Sequence, residues 1–165
     1  MAIRPILHYP HPTLKTASAA VVPSDPVTQA VVQDLLDTLA TSPGVALAAP
    51  QIGHAVRVIV VDVSRKKGEK GHGLIVLINP VILMLEGPKI LREGCLSVPD
   101  YTGNVVRHEQ AVVEGVTPDG RAVTLSTSGF EALAFQHEVD HLNGLLFLDR
   151  IQSLSTDLFR RKTSG

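Results

Sequence analysis

After Ser24-Asp25-Pro26, apolar residues recur every fourth position, Val27, Val31, Leu35 and Leu39, until Pro43-Gly44 ends the run. A cap followed by Pro at the first helical position suits that spacing, so the pattern predicts a helix over 26–41. The period then changes. Residues 55–63 (AVRVIVVDV) are rich in β-branched side chains, and a polar, glycine-containing stretch, 64–73, separates them from a second such run at 74–78. This predicts a hairpin with a solvated tip. Further strands are predicted at 81–85, 111–117 and 121–127, the last two joined by the turn Pro118-Asp119-Gly120. Ser128-Gly129-Phe130-Glu131 has the form of a capping box, and Phe130, Leu133, Ala134, His137, His141 and Leu142 then form one helical stripe up to Asn143-Gly144. A second helix is therefore expected over 129–143, and a short amphipathic segment, 155–162, predicts a third. The middle of the chain reads as mostly antiparallel β.

Composition narrows the class. The chain has 165 residues, 44% of them hydrophobic and 19% charged, with 15 Lys+Arg against 16 Asp+Glu. One domain over 1–165 is expected, able to bury roughly 70% of its unfolded surface without disulfides or a structural metal. The near-neutral balance lacks the basic surplus of a specific nucleic-acid binder. The longest apolar stretch, 74–85, is broken by Asn79-Pro80 and is too short to cross a bilayer, and no secretory signal is visible. Cys95 is the single cysteine, so no intrachain disulfide forms, which suits a reducing cytoplasm. Arg65, Lys66, Lys67 and Lys70 are diluted by Glu69 and glycines and read as a flexible hairpin tip rather than a phosphate site.

The second helix carries the chemistry. His137-Glu138-Val139-Asp140-His141 is an H-E-x-x-H arrangement. Residues four apart on a helix are offset by about 40°, so both imidazoles can reach one ion, and Glu138 is left free to act as a general base. A catalytic divalent ion wants three protein ligands and an open position. Cys95, in Glu93-Gly94-Cys95-Leu96-Ser97, is the candidate third ligand, against the plainer reading of a small core hydrophobe. The run Gly44-Val45-Ala46-Leu47-Ala48-Ala49-Pro50-Gln51 is weak by itself; its small residues permit close approach of a ligand backbone, and Gln51 can donate to an oxyanion.

Together, GVALAAPQ at 44–51, EGCLS at 93–97 and QHEVDH at 136–141 resemble, in order and spacing, the three signature motifs of the peptide deformylases. The likeness extends to the amino-terminal Pro-Ile-Leu stretch and to the Leu-Asn-Gly-Leu-Leu-Phe-Leu-Asp-Arg run after the motif helix, and so covers nearly the whole chain. It implies an α+β fold, with mixed and mainly antiparallel β-sheets around a central helix that bears the metal histidines. It implies one divalent ion, Fe²⁺ in the cell, held by Cys95, His137 and His141; a thiolate with two imidazoles also suits Zn²⁺, Ni²⁺ or Co²⁺. Glu138 would be the general acid/base, and Gln51 with the Leu96 N–H the oxyanion hole. Glu93 would pair with Arg107 and so orient the cysteine loop.

The implied substrate is the N-formyl-methionyl end of a nascent polypeptide. Gly44, Val45 and Ala46 would line its backbone, and Phe130, Leu133 and Ala134 are candidates for the methionine pocket. Where the family usually has glycine this chain has Ala46, whose methyl is expected to crowd the substrate or shift the loop. Arg160-Arg161-Lys162 read as solvated cations, with a weak ribosome contact as the further reading. Two rivals stand beside this one. A zincin-type endopeptidase would share H-E-x-x-H without needing Cys95, and a non-catalytic formyl-peptide or metal-binding module would keep a vestigial site.

Overall fold

The structure is a computed structural model that describes residues 2–161. The first helix, α1 (Pro26–Thr41), begins where Asp25 accepts the Val27 N–H and Pro26 needs no donor of its own. Val31, Leu35 and Leu39 are buried, while Val27 is 71% exposed, so the apolar stripe engages the core only from the second turn. Strands β1 (Ala46–Ala48) and β2 (Val58–Val61) follow, then two long strands, β3 (Ile75–Cys95) and β4 (Val98–Val116), then β5 (Ala122–Ser128). They pair antiparallel in the order β1-β2-β3-β4-β5. The second helix, α2 (Gly129–Leu142), follows β5 directly.

β2 explains where the core sits. Its residues Val58 to Val61 are all buried, and they alternate between two clusters. Ile59 and Val61 pack with Phe135, Val139 and Leu142 of α2, whereas Val58 and Val60 pack with Val31, Leu35 and Leu39 of α1. A strand covered by a helix on each face reads as a continuous apolar run, as this one does.

The sheet departs from the predicted one in continuity. The expected strands at 74–78 and 81–85 are one strand, and Asn79-Pro80 is an irregularity within it, not its end. Asn79 takes a positive φ of 53°, its side chain exchanges two hydrogen bonds with the Val21 backbone, and the register shifts between Ile78 and Val81. Proline, lacking an N–H, fits where the ladder is already interrupted. Because β3 and β4 are continuous, the described strands join in one antiparallel sheet. Among the described residues, parallel pairing is confined to an isolated bridge between Ala19 and Val56.

Three further expectations change. Ser128 makes no side-chain cap to α2, because Glu131 is engaged by the Thr127 hydroxyl and by His72. The predicted third helix is one turn, α3 (Leu154–Asp157), followed by a strand, β6 (Leu158–Arg160), which pairs with β4 at Tyr101–Gly103. β5 covers β4 only from Gln110 onward, so backbone donors and acceptors at 101–103 favour a strand there over a second helical turn. The remainder of that prediction, Lys162, lies outside the described residues. The basic hairpin tip is tied down: Arg65 donates to the carbonyls of Gly44 and Ser42, and the Lys66 ammonium sits 4.1 Å from the centroid of the Phe130 ring. Among the described residues no helix is long and apolar enough to cross a membrane.

Candidate metal centre and active-site cleft

β3 ends at Cys95, and Leu96 and Ser97 make the turn into β4. The ribbon thus delivers the thiol to the face of α2 that carries His137 and His141. Cys95 Sγ lies 3.3 Å from Nε2 of each histidine, and the two Nε2 atoms are 3.2 Å apart. A four-coordinate ion with bonds of about 2.1 Å to nitrogen and about 2.3 Å to sulfur holds its ligand atoms roughly 3.4 to 3.6 Å apart. The three residues fit such an ion closely.

The electrostatics agree with the spacing. His137 Nδ1 meets a carboxylate oxygen of Glu93, an acceptor, so Nδ1 carries a proton and Nε2 is the atom that faces the other donors. Burial disfavours a charged His137, but Cys95 and Glu93 outweigh it and hold its pKa well above the ordinary value. The point where the donors converge therefore favours positive charge, which an ion supplies. His141 is fully buried, and burial together with His137 keeps it neutral, the ligating form. Its Nδ1 has no partner among the described residues, so the ring is held by its packing and by the contacts of Nε2.

Behind the donors lies a buried ionic chain. Burial pushes Glu93 up, yet His137 and Arg107 prevail and bring its pKa to about 2. Arg107 grips Glu93 with Nε at 2.9 Å and Nη2 at 2.7 Å, and its Nη1 donates to Asp140 at 2.7 Å. Asp140 in turn accepts from Arg150 Nη2 at 2.7 Å. Asp140 and Arg150 were not singled out from the sequence. Asp140 sits three residues after His137 on the helix, but its partner on β4 is not legible from that spacing.

Glu138, 3% exposed, points a carboxylate at the same place: Oε2 is 3.8 Å from His137 Nε2, and Oε1 has no hydrogen-bond partner among the described residues. Burial raises its pKa to about 7, with His137 pulling the other way. The Gln51 side-chain amide donates to the Ser97 hydroxyl at 3.1 Å and lies 3.7 Å from Cys95 Sγ. The Ser97 N–H donates to that sulfur at 3.4 Å. Ser97 is another site residue that sequence reasoning passed over, although it is the last letter of EGCLS.

A cleft of about 530 Å³ opens onto this group. Gly44, Val45, Ala46 and Gln51 form one wall, Glu93, Cys95 and Leu96 another, and Phe130, Leu133, Ala134, His137 and Glu138 the floor. Arg107 and His141 stand behind it. Ala46 has no positive φ, so its methyl sits on ordinary extended backbone. Lys66, Arg92 and Arg161 also line the cleft, and none was read from the sequence as part of the site.

Two imidazoles, a thiol and a buried carboxylate at the base of a cleft in an α+β fold define a metal-dependent hydrolase. Residues 3–157 match the family Polypeptide deformylase, and the chain belongs to that family. A peptide deformylase from Syntrophobacter fumaroxidans (strain DSM 10017 / MPOB) is 44% identical over 162 residues, which cover 98% of this chain and 94% of the relative. The crystal structure of a peptide deformylase from Legionella pneumophila superposes with a TM-score of 0.84 at 39% identity, over 93% of this chain and 88% of that one. A Met-Ala-Ser-bound class I type b peptide deformylase from Acinetobacter baumannii superposes with a TM-score of 0.83 at 34% identity, over 91% of this chain and 99% of that one.

Proposed function

We propose that the chain acts as one catalytic domain over 1–165, a peptide deformylase that hydrolyses the N-formyl group of formyl-methionyl nascent polypeptides to formate and a free amino terminus. The observation that carries this reading is the convergence of Cys95, His137 and His141 beside the unpartnered Glu138 oxygen at the base of the cleft. A divalent ion held by those three residues, Fe²⁺ in the cell, supplies Lewis-acid polarisation and makes water acidic enough to react near neutral pH.

The chain's own residues do the rest. Glu138 accepts a proton from the attacking water, whose oxygen bonds to the formyl carbon, and the same carboxyl returns the proton to the amine as the C–N bond breaks. The Gln51 amide N–H and the Leu96 N–H stabilise charge on the formyl oxygen. Ala46 opens the edge strand β1, with Val45 just before it, and that edge can pair with an extended peptide, while Leu133 with Phe130 and Ala134 offers an apolar wall to the methionine side chain. The Glu93–Arg107 pair fixes the orientation of His137 and, through β3, of Cys95. A reducing cytoplasm keeps the Cys95 thiol available as a ligand. Ribosome contact through Arg160 remains a minor part of the reading.

The test is formate release from formyl-Met-Ala-Ser by anaerobically purified, Fe²⁺-loaded protein, with acetyl-Met-Ala-Ser as control. Release from the formyl peptide alone is the expected result. Loaded protein that releases no formate overturns the assignment.

A further inference from the structure

The cleft mouth is cationic on both sides, and among the described residues the cations are held in place without carboxylate partners. On the β1 side, Lys66 is positioned by the ring of Phe130 and by the neighbouring Arg65, which is bonded to the backbone of Ser42 and Gly44. On the β3 side, the Arg92 guanidinium stacks 3.5 Å from the centroid of Phe159 and donates to Asn104. Beside it Arg161 continues β6, its N–H donating to the Asp100 carbonyl at 2.7 Å. Its guanidinium lies so close over Gly94 that a β-carbon there would stand 2.4 Å from Nη2. Two separate segments, the 64–73 loop and the carboxy-terminal strand, thus each bring a cation to one opening.

The acidic lining residues do not neutralise them. Glu93 is buried and bound to Arg107 and His137, and Glu138 lies at the base. No ion pair joins Lys66, Arg92 or Arg161 to a carboxylate among the described residues. Ordered like charges around a concave opening repel one another and concentrate field there, which an anionic guest relieves. We infer that this rim is a specificity device selecting peptides that carry Asp or Glu side chains within a few residues after the leading methionine. The inference rests on the deformylase reading for the placement of the methionine end. Electrostatic selection of this kind acts chiefly on capture, so it belongs in affinity and kcat/KM, and it weakens with salt.

The test measures binding by calorimetry on the metal-loaded protein, with the C-terminally amidated peptides Met-Ala-Asp-Asp, Met-Ala-Asn-Asn and Met-Ala-Lys-Lys, and with Met-Ala-Asn-Asn bearing a free carboxylate. The expected result at low salt is Kd at least about fivefold lower for the Asp peptide than for the Lys peptide, a ratio that collapses in about 0.5 M salt. In Arg92→Gln and Arg161→Gln the ratio should fall, and the salt titration of the parent protein stands even where a variant folds poorly. An Asp-to-Lys ratio within about twofold overturns the inference. So does a gain seen only with the free chain end. Formylated versions of the same peptides report turnover separately. If none is deformylated the deformylase reading fails, while the affinities still decide the rim.

Discussion

The Gln51 amide nitrogen donates to the Ser97 hydroxyl at 3.1 Å while the Gln51 carbonyl accepts the Ala48 N–H at 3.0 Å. Both ends of the side chain are fixed, and Ser97 is itself bonded to the Cys95 sulfur, so the amide is set in one orientation beside the ligand group before any substrate arrives. Preorganised donors of this kind are each worth roughly 10² to 10³ in rate. Gln51→Ala should therefore lower kcat by about that factor, about 3 to 4 kcal/mol, with bound metal unchanged. A loss smaller than about threefold, in steady-state kinetics on protein with verified metal content, removes Gln51 from the oxyanion site.

Arg107 is 2% exposed and joins two buried carboxylates, Glu93 and Asp140. Deleting it leaves Glu93 without its guanidinium and Asp140 with Arg150 alone, and breaking a buried pair from one side typically costs about 3 to 5 kcal/mol. Arg107→Ala is expected to lose stability on that scale in urea denaturation and to bind metal roughly 10- to 100-fold more weakly, because His137 loses its fixed acceptor. Unchanged metal affinity would separate the ionic chain from the site and leave it a purely structural feature.

Cys95 and Glu138 should fail in different ways. Cys95→Ser removes the soft donor, so metal content after dialysis should drop well below one ion per chain. Glu138→Gln keeps all three donors, so it should retain about one ion and lose at least about 10² in kcat. A zincin-like protein would retain metal in Cys95→Ser, and elemental analysis of the two variants decides between the readings.

How much of this was legible in the chain depends on the range of the interaction. The α1 boundaries and the α2 stripe are local patterns and formed where their period placed them, whereas the 55–63 run is a strand only over Val58–Val61. His137, Glu138 and His141 share one helix, so their common face followed from 100° per residue. The long span of β3 was hidden because Asn79-Pro80 and Gly87-Pro88 look like breaks, whereas pairing with β4 carries the strand past both. Arg92 and Arg161 illustrate the limit more sharply. They are far apart in sequence, and only the pairing of β6 with β4 brings Arg161 over Gly94.

Ala46 stands where the resemblance implies a glycine, and its backbone needs none. The expectation of a shifted loop finds no support in its conformation: Ala46 pairs in register with Val61 on an extended strand. What remains is the bulk of one methyl at the cleft wall. Ala46→Gly should change kcat/KM by less than about threefold, with any effect in KM, because removing uniform binding contacts leaves kcat alone. A tenfold gain in kcat would show that the methyl obstructs the reacting geometry.

Glu131 ties the 64–73 loop to the start of α2, and it makes acid stability measurable at a site remote from the metal ligands. Its Oε1 accepts from the Thr127 hydroxyl at 2.7 Å, and its Oε2 accepts the His72 N–H at 2.6 Å. Burial pushes this carboxyl up, but the bonds from His72 and Thr127 outweigh it and leave the pKa below the ordinary value. A carboxyl whose folded pKa is depressed stabilises the fold above its unfolded value, near 4.3, and loses that contribution as pH falls through the folded value. Glu131→Gln cannot titrate, so the parent's advantage over it should be full at pH 7 and should shrink below about pH 4.5. Thermal melts of both proteins across that range check the sign. A difference in Tm that stays constant down to about pH 3 would mean the carboxylate charge contributes nothing there.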